Sequence, residues 1–181
     1  MKRLGLLILT AAVLTAAVSG CHTPNRAERP TPSGITAPPT PPGKVVAYVI
    51  NPKALGDKDL LMPHAIAGTP SKQPAKDAVQ ALLNSAHSPL VPGTALRGIS
   101  VDSGTATVDF SQSPVSDTGG EDAQSAGLNA LAMTLGQFPE IAKFQIEVKG
   151  QVVKSFGEFT TDGPMDVIRP ADKSVAEGSG R

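Results

Sequence analysis

Cys21 is the only cysteine in 181 residues, and its position gives it a chemistry. Leu14-Thr15-Ala16-Ala17-Val18-Ser19-Gly20 leads into it, so an aliphatic residue and two small ones stand just before the thiol. Small side chains let extended backbone enter a narrow protease site, and the thiol behind them is a nucleophile to which a group can be attached. The other reactive side chains are scattered. His22, His64 and His87 have no Cys or acid at ligand spacing, so no metal centre is expected. Ser103 and Ser111 sit in no Gly-x-Ser-x-Gly elbow, and no histidine is placed to serve either as a base. Gly-x-x-x-x-Gly-Lys-Ser/Thr is absent, which removes the phosphate-cradling loop. Catalytic, cofactor-binding and metal-binding residues are therefore all expected to be none.

The remaining charged groups read as fold-makers or surface. Asp102, beside Ser103-Gly104, is a turn former, and Asp109 either pairs with a positive group on an exposed sheet face or, by default, is a solvated charge there. Gly119-Gly120 precedes a helix whose amides suit an anion, but Glu121 and Asp122 would repel it, leaving a flexible helix entry as the expectation. Arg97, Lys143, Lys149 and Lys154 either gather on one face of a sheet to meet an acidic polymer or a partner's carboxylates, or stand singly in solvent.

The elements that must hold these residues follow from patterning. Lys2 and Arg3 precede an uncharged apolar stretch over 6–18, short for a membrane span. Residues 22–43 carry seven prolines among Thr, Ser and Gly and read as a tether, where neither helix nor sheet is expected. If extended as polyproline II, the tether would reach roughly 70 Å. The run Val45-Val46-Ala47-Tyr48-Val49-Ile50 is apolar on both faces, which predicts a strand inside a sheet. A second strand is expected over 60–67, its Pro63 favouring an edge. Apolar residues at helical spacing predict amphipathic helices over 75–86 and 121–138, the second burying Ala123, Ala126, Gly127, Ala130, Leu131, Thr134, Leu135 and Phe138. Strict alternation predicts a hairpin over 96–110 turning at Asp102-Ser103-Gly104, and a further strand over 143–149 that turns back at Gly150-Gln151. The ordered domain is expected over 44–160, with a polar, partly disordered tail over 161–181.

Composition limits the function. The chain has 16 basic and 16 acidic residues; losing 1–20 removes Lys2 and Arg3 and no acid, leaving 14 against 16 and a net charge of −2. That balance argues against nucleic acid, which needs a clustered basic excess. One Tyr, five Phe and no Trp are few for a carbohydrate-stacking cleft.

Val18-Ser19-Gly20-Cys21 resembles the bacterial lipobox. The resemblance implies cleavage before Cys21, a diacylglyceryl thioether on its sulfur, further acylation such as palmitate, and an extracytoplasmic chain tethered to the membrane at Cys21. The alternatives are an ordinary secretory signal with a chance cysteine, or a short N-terminal anchor. Residues 44–155 resemble a GerMN domain through Val45-Val46-Ala47-Tyr48-Val49, Ala78-Val79-Gln80-Ala81-Leu82-Leu83, the stretch from Val91-Pro92-Gly93 to Val108-Asp109-Phe110-Ser111, Thr134-Leu135-Gly136-Gln137-Phe138-Pro139 and Phe144-Gln145-Ile146-Glu147-Val148. The family occurs in spore-germination and cell-envelope lipoproteins. The resemblance implies a small α+β domain, two helices on one face of a mixed sheet of three to five strands, similar to ring-building modules. It implies no enzymatic activity and no cofactor. Another envelope protein is the expected partner, with peptidoglycan or another wall polymer as the alternative.

Overall fold

A computed structural model describes residues 37–170 except 42, 57–59 and 162. The signal segment, Cys21, the first part of the tether and the last eleven residues lie outside the described residues. In chain order the elements are β1 (Val46–Ile50), β2 (Leu61–Ala65), α1 (Pro74–Asn84), β3 (Leu96–Asp102), β4 (Thr105–Phe110), α2 (Gly120–Gly136), β5 (Lys143–Val148), β6 (Gln151–Val152), β7 (Ser155–Phe156), β8 (Phe159–Thr160) and β9 (Met165–Asp166).

Alternation makes the main sheet. Ala106, Val108 and Phe110 of β4 are buried, as are Phe144 and Ile146 of β5. The two strands run parallel with Ala106 opposite Phe144 and Val108 opposite Ile146, so their apolar faces coincide. β3 joins β4 antiparallel across Ser103 (φ 48°) and Gly104 (φ 81°), the left-handed pair that a two-residue hairpin turn demands. The Gly104 carbonyl then accepts the Ala142 and Lys143 N–H groups at 2.8 and 3.0 Å, fastening the turn to the start of β5. β6 and β9 share the outer edge of β5, completing a mixed five-stranded sheet. The α+β class with two helices is as expected.

The helices bury their apolar sides into one core with the five-stranded sheet, the β1–β2 pair and the β7–β8 pair. α1 starts with Pro74 in its first turn, where a missing N–H costs nothing, and buries Ala75, Ala78, Val79 and Leu82. α2 departs from the expected stripe. Ala123 is exposed and Gln124 is buried instead, its side-chain oxygen accepting the Glu158 N–H at 3.2 Å. From Ala130 to Gly136 every residue is buried, so this end of α2 is covered on all sides.

One of those covers is β1, and here the expectation is corrected. β1 does not lie inside the larger sheet; it forms a separate two-stranded ribbon with β2. Its burial comes from α2, which also closes its free edge. The Val46 N–H donates to Gln137 Oε1 at 2.9 Å, and Gln137 Nε2 donates back to the Val46 carbonyl at 2.8 Å. The Tyr48 N–H donates to Thr134 Oγ1 at 3.0 Å, and the Ile50 N–H to the His87 carbonyl at 2.9 Å. Every second N–H of β1 is thus capped by something other than a strand. Pro63 falls opposite Tyr48, at a pair not bonded across the ribbon, so its missing N–H lies on the outer edge of β2.

Both ends of the domain extend past their expected limits. Ala37 is fully buried and forms a parallel bridge with Pro170, although 37–43 was assigned to the tether. The Tyr48 hydroxyl donates to the Pro38 carbonyl at 2.7 Å and lies 3.1 Å from Thr40 Oγ1, pinning this segment. Residues 163–170, assigned to the tail, are also part of the fold. β9 pairs β5, and the N–H groups of Val167 and Ile168 donate to the carbonyls of Ala142 and Ala132 at 3.2 and 3.1 Å. Arg169 donates to the carbonyls of Gly136, Phe138 and Ile141 at 3.0, 2.7 and 2.7 Å, and to that of Pro139 at 3.4 Å. A guanidinium on the last carbonyl of α2 and on those of the loop after it satisfies acceptors the helix cannot and opposes its dipole.

Candidate interaction surface

The sheet has one packed face and one open face. Register places Asp102, Thr105 and Lys143 in one row of the open face, Ser100, Thr107 and Gln145 in the next, and Gly98, Asp109 and Glu147 in the third. Asp166 extends the first row and Val152 the third. The face is polar and uncharged along its middle row.

Its two cations are matched within the chain. Arg97 Nε donates to Asp109 Oδ2 at 3.0 Å, and the other oxygen of Asp109 accepts the Gly150 N–H at 3.0 Å. Asp109 therefore ties β3 and β4 to the turn after β5, which is the pairing with a positive group rather than the default solvated charge. A bulge between Leu96 and Gly98 swings Arg97 toward this side. Lys143 Nζ stands 3.7 Å from Asp166 Oδ1. Lys149 occupies the turn after β5 at φ 55°, and Lys154 lies beyond β6, so the four cations form no unmatched basic patch.

The other candidates also resolve into structure. Ser103 is a turn residue, its hydroxyl 3.4 Å from Asp102 Oδ1. The Ser111 hydroxyl accepts the Ala95 N–H at 2.9 Å. His87 is exposed and serves through its backbone carbonyl. His64 is exposed on β2, beside an open hollow of about 250 Å³ that Ala65, Ala81 and Asn84 also line. No second titratable side chain lines that hollow. Among the described residues no three of His, Cys, Asp or Glu gather where they could hold a metal ion. Gly119 and Gly120 form the entry to α2 with exposed Glu121 and Asp122 in its first turn. No helix of the described residues is long and apolar enough to cross a membrane.

Sequence reasoning missed Tyr48 as an anchoring residue. Burial pushes its phenol above the ordinary value of 10.0, partly offset by the hydrogen bond with Thr40. Its position as the only tyrosine, inside an apolar run just after the prolines, was the available signal.

No curated protein matches the chain. The first GerMN domain of the sporulation protein GerM from Bacillus subtilis shares the fold at a TM-score of 0.54 and 19% identity, over 70% of this chain and 97% of that one. The tandem GerMN domains of the same protein match at a TM-score of 0.52 and 20% identity, over 69% of this chain. The match spans 45% of the tandem chain. The family model Germane, described as sporulation and spore germination, matches residues 46–154, from β1 through the strand that returns after β5. With more than half its length matched and the fold shared, the chain belongs to the Germane, or GerMN-domain, family.

Proposed function

We propose that the mature chain is held on the outer side of a bacterial membrane by lipid on Cys21, and that its GerMN domain acts there without catalysis, as a docking module for another envelope protein. The observation that carries this reading is the open face of the larger sheet, polar along its middle row and with Arg97 and Lys143 already matched to Asp109 and Asp166. Such a surface suits a protein of mixed polarity. An acidic wall polymer would call for unmatched cations. The anchor is supported by the sequence before Cys21: a basic start, an apolar stretch and two small residues.

Two measurements test the reading. Cells fed labelled palmitate should incorporate it into the full chain and not into Cys21→Ala; equal labelling of both sinks the anchor. Crosslinked pull-down of the full chain should capture one discrete envelope protein, and Cys21→Ala should lose it. Sedimentation of the chain with purified sacculi, with no protein enriched, would replace docking by the wall-polymer alternative.

A further inference from the structure

Strand edges are reactive surfaces, because they carry unpaired N–H and C=O groups ready for another strand. Among the described residues the longer strands of this domain have their edges closed, with one exception. The inner edge of β1 is capped by Gln137, Thr134 and the His87 carbonyl. The outer edge of β2 has Pro63 at a position where an N–H would otherwise face out. The outer edge of β5 is shared by β6 and β9, each two residues long. β3 differs. It ends the strand order, runs for seven residues, and has no proline.

We propose that the outer edge of β3 pairs antiparallel with β3 of a second copy of this chain. The hairpin register fixes which groups are available. Asp102 and Thr105 flank the two-residue turn and bond to each other, as then do Ser100 with Thr107 and Gly98 with Asp109. The backbone groups of Ile99 and Val101 consequently face outward. Their side chains lie on the apolar side of the sheet, where Ile99 packs on the core but Val101 is left 45% exposed.

The strand is complementary to itself. In an antiparallel pairing centred on Ser100, Val101 of each copy stands beside Ile99 of the other, and the outward groups of both are satisfied. Asp102 comes opposite Gly98, next to Arg97 of the other copy, so the acidic end of each strand meets the basic end of its partner. A partner strand of unrelated sequence would have to match an apolar pair on one side, a small polar residue on the other and opposite charges at the two ends. A second copy does so by construction, and the two open faces join into one sheet. This goes beyond the docking reading and does not depend on it.

The full chain in detergent should sediment as a concentration-dependent dimer. Val101→Lys, at a half-exposed position, should keep the melting curve and raise the dimer dissociation constant at least about tenfold. Ser100 of the two copies would be a non-bonded pair with Cα atoms about 4.5 Å apart, a separation a disulfide can bridge. Ser100→Cys should therefore give an oxidised dimer that the unsubstituted chain, with Cys21 alone, does not, and Asp102→Cys should give it at least about tenfold less. A monomer at every concentration overturns the proposal. So does a dimer that Val101→Lys leaves intact, or one that crosslinks equally at positions 100 and 102.

Discussion

A backbone N–H that faces a helix in the core must find an acceptor, and Tyr48 finds it in Thr134 Oγ1, itself fully buried. Thr134→Val keeps the shape and removes the acceptor, so urea unfolding should show a loss of about 1–3 kcal/mol, the cost of an unsatisfied buried donor. No cost at all would mean that water replaces the hydroxyl. Tyr48 permits a test in pH. Its phenol is raised above 10.0 in the fold, so the unfolded chain ionises first. The stability it contributes is complete below pH 10 and falls as pH climbs through the raised value. Tyr48→Phe should flatten that part of the stability profile and speed exchange of the Thr40 amide, the one N–H in the segment 38–41; an unchanged alkaline slope would count against the assignment. Little of this was legible in the sequence. Alternation places Asp109 on the polar face of a strand, but that its two oxygens hold Arg97 and the Gly150 N–H depends on a bulge and a turn in other segments.

At the scale of elements, local patterns were readable and their partners were not. The hairpin over Leu96–Phe110 was legible because a two-residue turn with Gly104 and strict alternation agree. The location of β1 was not. An apolar run on both faces demands burial, and burial between a ribbon partner and α2 satisfies that demand as well as burial within a sheet. The C-terminal segment was missed because Met165–Asp166 is too short to carry a period, and Arg169 looks like a surface cation until α2 ends beneath it. It makes a sharp prediction. Removing residues after Pro170 should leave the melting temperature unchanged, whereas removing those after Thr160 should destabilise severely. Ile168→Ala, at a buried side chain, should cost about 2–4 kcal/mol by denaturation. Gly136→Ala should be as damaging, since a Cβ there would run into the Ile168 carbonyl. Wild-type stability in the Thr160 truncation would show that β9 and Arg169 are decoration.

For the whole molecule, the family match ends at residue 154, yet the core continues through Phe156 and Ile168. The segment after the match supplies a second cover for α2: α2 and its cap meet β1 through the side chains of Thr134 and Gln137, and the C-terminal segment meets α2 through the Ile168 N–H and the Arg169 guanidinium. The bridge between Ala37 and Pro170 has a consequence for any longer arrangement of the chain. A domain entered and left at the same place adds almost nothing to the contour of the polypeptide that carries it. Splicing the domain into an exposed loop of a host protein should therefore leave both folded, with the host's loop ends as close as before.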